Sequence, residues 1–287
     1  MKYASPAAFR QALEDRLRIQ YPPHRIPRVR KMIAFERFMA RLDARWILKG
    51  GYALQLRTES SRTTQDIDLL ALDISPDQIA EALLEMLHRD CEDHFDFYLE
   101  RTNQDRLFGN AIRFRVTARL AGRVFERFHI DIGLGDPIVD PVDHLVPPAY
   151  LDFAEIAAIS IPCYPITQHL AEKLHALVRP RPVETSRVKD FVDILLFAGL
   201  QSDLPADRLL AAIQAVFQAR GDQIPVELEH IPTDWRPKYH QLTRNLDLPF
   251  SEFDQAVQAA RDFINPILDR TAQGSWDAML WEWVGPE

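Results

Sequence analysis

Asp66 and Asp68, in Gln65-Asp66-Ile67-Asp68-Leu69-Leu70, are the residues of this chain best spaced for chemistry. In an extended strand, residues i and i+2 point to the same side, so the two carboxylates stand together while Ile67 and Leu69 face a core. Two like charges that close raise each other's pKa unless a cation neutralises them. Magnesium suits the pair: it takes hard oxygen ligands, often one or two carboxylates completed by substrate phosphates. Manganese has the same taste in ligands. Upstream, Lys49-Gly50-Gly51 closes a short apolar segment and opens a helix. A glycine pair lets backbone amides approach a phosphate, and a helix N-terminus favours negative charge. A phosphate cradle and a cation site are therefore encoded within residues 49–68. Each motif alone is weak, because an isolated Asp-x-Asp also arises as two exposed aspartates at a sheet edge. Their ordered combination is the stronger sign.

A third carboxylate follows from strand register. Ile112, Phe114, Val116, Ala118 and Leu120 alternate with Arg113, Arg115, Thr117 and Arg119, and a second segment, Val124 to Leu134, contains His129-Ile130-Asp131-Ile132. Keeping the apolar faces together sets Leu120 opposite Val124, with Ala121-Gly122-Arg123 as a three-residue loop. Arg113 then opposes Asp131, and Arg115 opposes His129. Asp131 reads either as a third metal carboxylate or general base, or as half of a structural Arg–Asp cross-strand pair. Asp136 is its nearby competitor.

Two blocks carry a family resemblance. Lys49-Gly50-Gly51-Tyr52-Ala53-Leu54, followed by Arg62-Thr63-Thr64-Gln65-Asp66-Ile67-Asp68-Leu69, resembles the nucleotidyltransferase fold shared with DNA polymerase β. It resembles most closely the AbiEii toxin family, which includes the MenT toxins of mycobacteria. Ala171-Glu172-Lys173-Leu174, then Arg187-Val188-Lys189-Asp190-Phe191-Val192-Asp193, is similar to that family's E-K-L…R-x-K-D-x-x-D block. Gly-Gly here replaces the Gly-Ser frequent in the wider superfamily, and the Gly51–Asp66 loop is slightly long.

The resemblance implies a metal-dependent nucleotidyl transfer. Asp66, Asp68 and Asp131 would hold Mg2+ (or Mn2+). Gly50, Gly51, Arg62, Lys173 and Lys189 would surround an NTP, with Lys173 and Asp190 part of the catalytic set and Asp190 or Asp193 as organisers. It implies a tRNA 3′ end as acceptor, a block to translation, and an antitoxin encoded nearby. A small-molecule nucleotidyltransferase acting on an antibiotic hydroxyl is the enzymatic alternative, and an inactive binding module the non-enzymatic one. Taken residue by residue, Lys173 also reads as a solvated helix lysine, Arg62 as a loop arginine, and Asp190 as charge complementing a helix N-terminus. Thr64 sits where phosphorylation would set negative charge beside the carboxylates; an ordinary loop threonine is the alternative.

The elements that must position these groups divide the chain. Residues 1–145 read as an α/β core with N-terminal helices, and 146–287 as a mainly helical domain contributing to the cleft. The fold class is α+β: a polymerase β-like mixed sheet flanked by helices, with a helical C-terminal half. Ser5-Pro6 starts a first helix, and a second spans about Val29 to Ala44. Ser75-Pro76-Asp77-Gln78 opens a third with a capping box. C-terminal helices are expected near Thr167–Val178, Val188–Ala198, Pro205–Arg220 and Ser251–Thr271. Trp276, Trp281 and Trp283 read as part of a packing helix.

Composition bounds the rest. The 287 residues, 47% hydrophobic and 26% charged, suit a globular chain. Its net charge of −8 argues against broad, non-specific nucleic-acid binding but leaves room for the local arginine run from Arg101 to Arg127. Cys91 and Cys163 fit no metal or redox spacing, and no apolar run suits a membrane span, so a cytoplasmic setting is expected.

Overall fold

The computed structural model describes residues 2–58, 64–101, 111–179, 187–228 and 231–285. Arg62, and the triphosphate contact expected of it, lie outside them. The chain packs as two compact units. The first comprises Met1–Leu56, Thr63–Gly135 and His144–Cys163; the second comprises Arg57–Arg62, Asp136–Asp143 and Tyr164–Glu287.

The first unit is built on a mixed sheet. Two helices precede it: α1 (Pro6–Gln20), started by Ser5 and Pro6, and α2 (Ile26–Met39). α1 buries Phe9, Leu13 and Leu17, four residues apart on one stripe. Strand β1 (Trp46–Lys49) runs directly into α3 (Gly50–Arg57). Then follow β2 (Ile67–Ala71), α4 (Ile79–Leu87), β3 (Phe95–Arg101), β4 (Ile112–Leu120) and β5 (Arg123–Leu134). Ser75 does bond the Gln78 side chain, but α4 begins only at Ile79. Two short strands, β6 (Asp143–Leu145) and β7 (Ile161–Cys163), complete the sheet, in the order β3-β4-β5-β2-β1-β7-β6. β7 pairs in parallel with β1 through Leu48 and Cys163. That pairing carries the first unit past residue 145 to Cys163. Three-residue strands have too little alternation to be read from sequence.

The β4–β5 hairpin corrects the expected loop while keeping its consequence. Leu120 pairs with Arg123, so the turn has two residues, Ala121 (φ +53°) and Gly122 (φ +70°). Positive φ at both is what a type I′ turn requires, and its twist matches the flanking strands. Arg119 pairs with Val124, and Ala118 with Glu126, which leaves Phe125 as the extra residue of a bulge. The bulge restores the register, so Arg113 does oppose Asp131, and Arg115 opposes His129.

The second unit is mainly helical: α5 (Ile166–Val178), α6 (Val188–Leu200), α7 (Ala206–Arg220), α8 (Arg236–Thr243) and α9 (Phe253–Leu268). A small sheet joins β8 (Leu204–Pro205), β9 (Ser275–Asp277) and β10 (Glu282–Val284). The tryptophan tail is therefore a hairpin, not the expected helix. Asp277 turns it by accepting from the amides of Met279 and Leu280, and Trp276 pairs with Trp283. The three indoles still pack: each donates to a helix carbonyl, Trp276 to Ala198, Trp281 to Ala259 and Trp283 to Phe263. Among the described residues no helix is long and apolar enough to cross a membrane.

Candidate active site

Strand register brings the carboxylates together on one sheet face of the first unit. Asp68 pairs with Lys49 on antiparallel β1 and with Asp131 on parallel β5, and Asp131 pairs with Arg113 on β4. One row across four strands therefore reads Lys49, Asp68, Asp131, Arg113. Cross-strand partners share a face, so Asp131 is the lateral neighbour of Asp68. Ile67, Leu69, Ile130 and Ile132 are buried on the other side.

Asp66 lies just before β2. Its Oδ1 is 3.6 Å from His129 Nδ1, and its Oδ2 is 3.8 Å from Arg113 Nη2. The Arg113 guanidinium grips Asp131 with both edges: Nε donates to Oδ1 at 2.6 Å and Nη2 to Oδ2 at 2.5 Å. This hydrogen-bonded pair raises the Arg113 pKa; burial opposes the rise, and the charges of Asp131, Asp66 and Asp68 add to it.

Gly50 has φ +65°, and a Cβ there would stand 1.9 Å from Asp68 Oδ2. The glycine at the strand-to-helix junction thus answers two needs, a left-handed backbone and room for the Asp68 carboxylate. Gly51 is buried in the first turn of α3. Thr64, 6% exposed, donates its hydroxyl to the Asp66 carbonyl at 3.1 Å. That contact ties the approach of the chain to the first aspartate.

Among the described residues, no three His, Cys, Asp or Glu side chains form a ready-made cage for a metal. The donor chemistry nevertheless fits a hard divalent cation. Asp66 and Asp68 supply two carboxylates, the number magnesium commonly takes from protein before substrate phosphates complete its shell. Asp131 has the right face and neighbour, but both of its oxygens are engaged by Arg113.

The motif residues of the C-terminal block gather separately, within the second unit. Lys173 on α5 contacts Asp190 at 2.8 Å and Asp193 at 2.7 Å, both on α6, and Arg187 contacts Asp190 at 2.7 Å. Asp193 is fully buried. Burial lowers the Lys173 pKa, but the two carboxylates more than offset it, so the ammonium is held well above its ordinary range. Lys189 is exposed on the first turn of α6.

Three neighbours were named from sequence without a role at the site. Lys49 is visible only through the β1–β2 register, His129 only through the position of Asp66, and Arg187 only through its contact with Asp190. The spacing of Arg187 and Asp190 on one helix was the available signal.

Comparison with known proteins agrees with this architecture. The chain aligns with the structure of MenT4, a nucleotidyltransferase toxin from Mycobacterium tuberculosis H37Rv, at a TM-score of 0.57 and 16% identity, covering 97% of this chain and 93% of that one. It also aligns with JHP933 from Helicobacter pylori at a TM-score of 0.48 and 13% identity, covering 88% and 96%. No curated protein sequence matches it. The model of the family described as nucleotidyl transferase AbiEii toxin, type IV toxin–antitoxin system, matches residues 35–260. With most of its length under that match, the chain belongs to the AbiEii family of nucleotidyltransferase toxins.

Proposed function

We propose that this toxin transfers a nucleoside monophosphate from an NTP to an RNA hydroxyl, the 3′ end of a tRNA, and thereby blocks translation in the cytoplasm. The observation that carries the reading is the placement of Asp68 beside Asp131 on one face, against the Gly50 junction. Asp66 and Asp68 are the residues to hold Mg2+ (or Mn2+), which supplies charge neutralisation at the phosphates and the acceptor oxygen. The amides at Gly50 and Gly51 receive phosphate oxygens. Asp131, once released by Arg113, is the carboxylate to take the acceptor proton. The acceptor oxygen then bonds to the α-phosphorus as the bond to pyrophosphate breaks.

The resemblance of the second block to the family's pattern is what supports Lys173 and Lys189 as triphosphate contacts, and Asp190 as the carboxylate holding Lys173. Lys189, being exposed, allows a clean test: Lys189→Ala should raise the KM for NTP and leave folding unchanged. RNA is favoured over a cationic drug by the outer face of the sheet. There Arg115 and Arg127 are exposed, and Arg119 stacks on the exposed Tyr98 ring at 4.7 Å. A cognate antitoxin is the expected protein partner.

The test is incubation with total tRNA, Mg2+ and each α-labelled NTP, beside Asp68→Asn. Label on tRNA with the wild type alone is the expected result. Label on small-molecule hydroxyls but never on RNA would overturn the acceptor.

A further inference from the structure

We infer that Arg113 is a built-in counter-cation of the carboxylate face, and that it must leave Asp131 before that carboxylate can serve a divalent cation or accept a proton. The inference rests on the proposed role of Asp66 and Asp68 as the cation's ligands.

The geometry is specific. Register sets Arg113 directly across from Asp131, and its fork engages both carboxylate oxygens, at 2.6 Å and 2.5 Å. The same Nη2 lies 3.8 Å from Asp66, so the guanidinium stands between two of the three aspartates. A purely structural cross-strand pair needs only its own partner. This one also neutralises charge that would otherwise repel across Asp66, Asp68 and Asp131.

Guanidinium does not lose its proton in proteins. Arg113 therefore leaves Asp131 only by exchange: another cation must replace it there, and an anion must receive it. A nucleotide arriving with a divalent cation brings both, because its phosphates suit the planar fork that Asp131 gives up. A cation arriving alone brings only one. The device thus favours joint loading of nucleotide and metal, and it keeps the three-carboxylate face from collecting metal without substrate.

The experiment is Mn2+ binding to nucleotide-free protein, followed by the spin-resonance signal of unbound Mn2+. Wild type, Arg113→Gln, Asp131→Asn and the double variant are compared, with circular dichroism confirming folding. Arg113→Gln should bind Mn2+ about tenfold more tightly or better, since a unit positive charge beside the site is removed. Asp131→Asn should change little on its own, because Arg113 already occupies that carboxylate, but should erase the gain in the Arg113→Gln background. Wild type and Arg113→Gln binding Mn2+ alike would overturn the counter-cation role while leaving the metal site standing. No Mn2+ binding by any folded variant, even with a non-hydrolysable NTP, would overturn the metal reading and this inference with it.

Should Arg113→Gln fail to fold, the wild type provides the test. The Arg113 Nε–H resonance, assigned by its loss in Arg113→Lys, should shift on adding Mg2+ with a non-hydrolysable NTP. A resonance that binding of that nucleotide leaves unmoved would overturn the exchange.

Discussion

Gly50 carries the most stringent demand of any single position. An alanine there would need a left-handed backbone, costing about 1–2 kcal/mol, and would drive its methyl into the Asp68 carboxylate. Gly50→Ala should therefore retain the fold with reduced stability and lose nucleotidyl transfer by two orders of magnitude or more, about the loss seen when a charge-stabilising group is displaced. Thermal unfolding read beside a transfer assay checks this; full activity would show that Asp68 tolerates displacement. Lys173 is demanding in another way. Its ammonium holds two carboxylates, one of them fully buried. Lys173→Met should cost about 3–5 kcal/mol in urea unfolding, because the buried Asp193 would lose the cation 2.7 Å from its carboxylate. Adding Asp193→Leu should recover part of that loss.

At the scale of elements, the β4–β5 hairpin decides which face Asp131 occupies. A one-residue slip in a strand turns every side chain to the opposite face. Turn and bulge each shift the pairing by one, and only together do they put Asp131 across from Arg113. The turn can be tested without touching the site. A Cβ at Gly122 would meet nothing within 4 Å, so Gly122→Ala should cost only the backbone strain of its φ of +70°, about 1 kcal/mol. Ala121→Asn should instead stabilise by a few tenths of a kcal/mol, since Asn-Gly suits a type I′ turn. Chemical denaturation measures both, and equal destabilisation by the two would contradict the turn type. The tryptophan hairpin shows the same dependence on local geometry. Its indoles are anchored by carbonyls of α6 and α9, and spacing along the chain could not reveal those distant partners.

At the scale of the molecule, acid sensitivity is built into the helical unit. His175 lies edge-on against Phe217 and shares a 2.7 Å contact with Asp222. Burial lowers the His175 pKa below its ordinary 6.5, with the Asp222 bond opposing, and that bond holds Asp222 below the usual carboxylate range. With the folded histidine depressed, the unfolded chain binds more protons just below pH 6.5. Stability therefore falls as pH drops from 6.5 toward the folded value, and Asp222 adds a second loss below its ordinary 3.8. The melting temperature should decline on acidification from neutral pH, and His175→Phe should flatten the decline near pH 6. A variant that lost stability as steeply as the wild type would assign the sensitivity to other groups.

Residue order alone determined the chemistry on offer: a glycine junction, two aspartates two residues apart at the start of a strand, and an arginine strand whose alternation predicted Arg113 opposite Asp131. These are local facts, set by strand periodicity and by the few conformations open to glycine. Most helices were legible for the same reason, since their apolar stripes recur every turn. Pairing between segments far apart in sequence was decided only by tertiary structure. The parallel β2–β5 contact makes Asp131 the neighbour of Asp68, and the β1–β7 contact carries the sheet unit to Cys163. The Phe125 bulge also lay beyond reach, because an extra residue in a strand leaves no mark on composition and shows only when both strands are seen together.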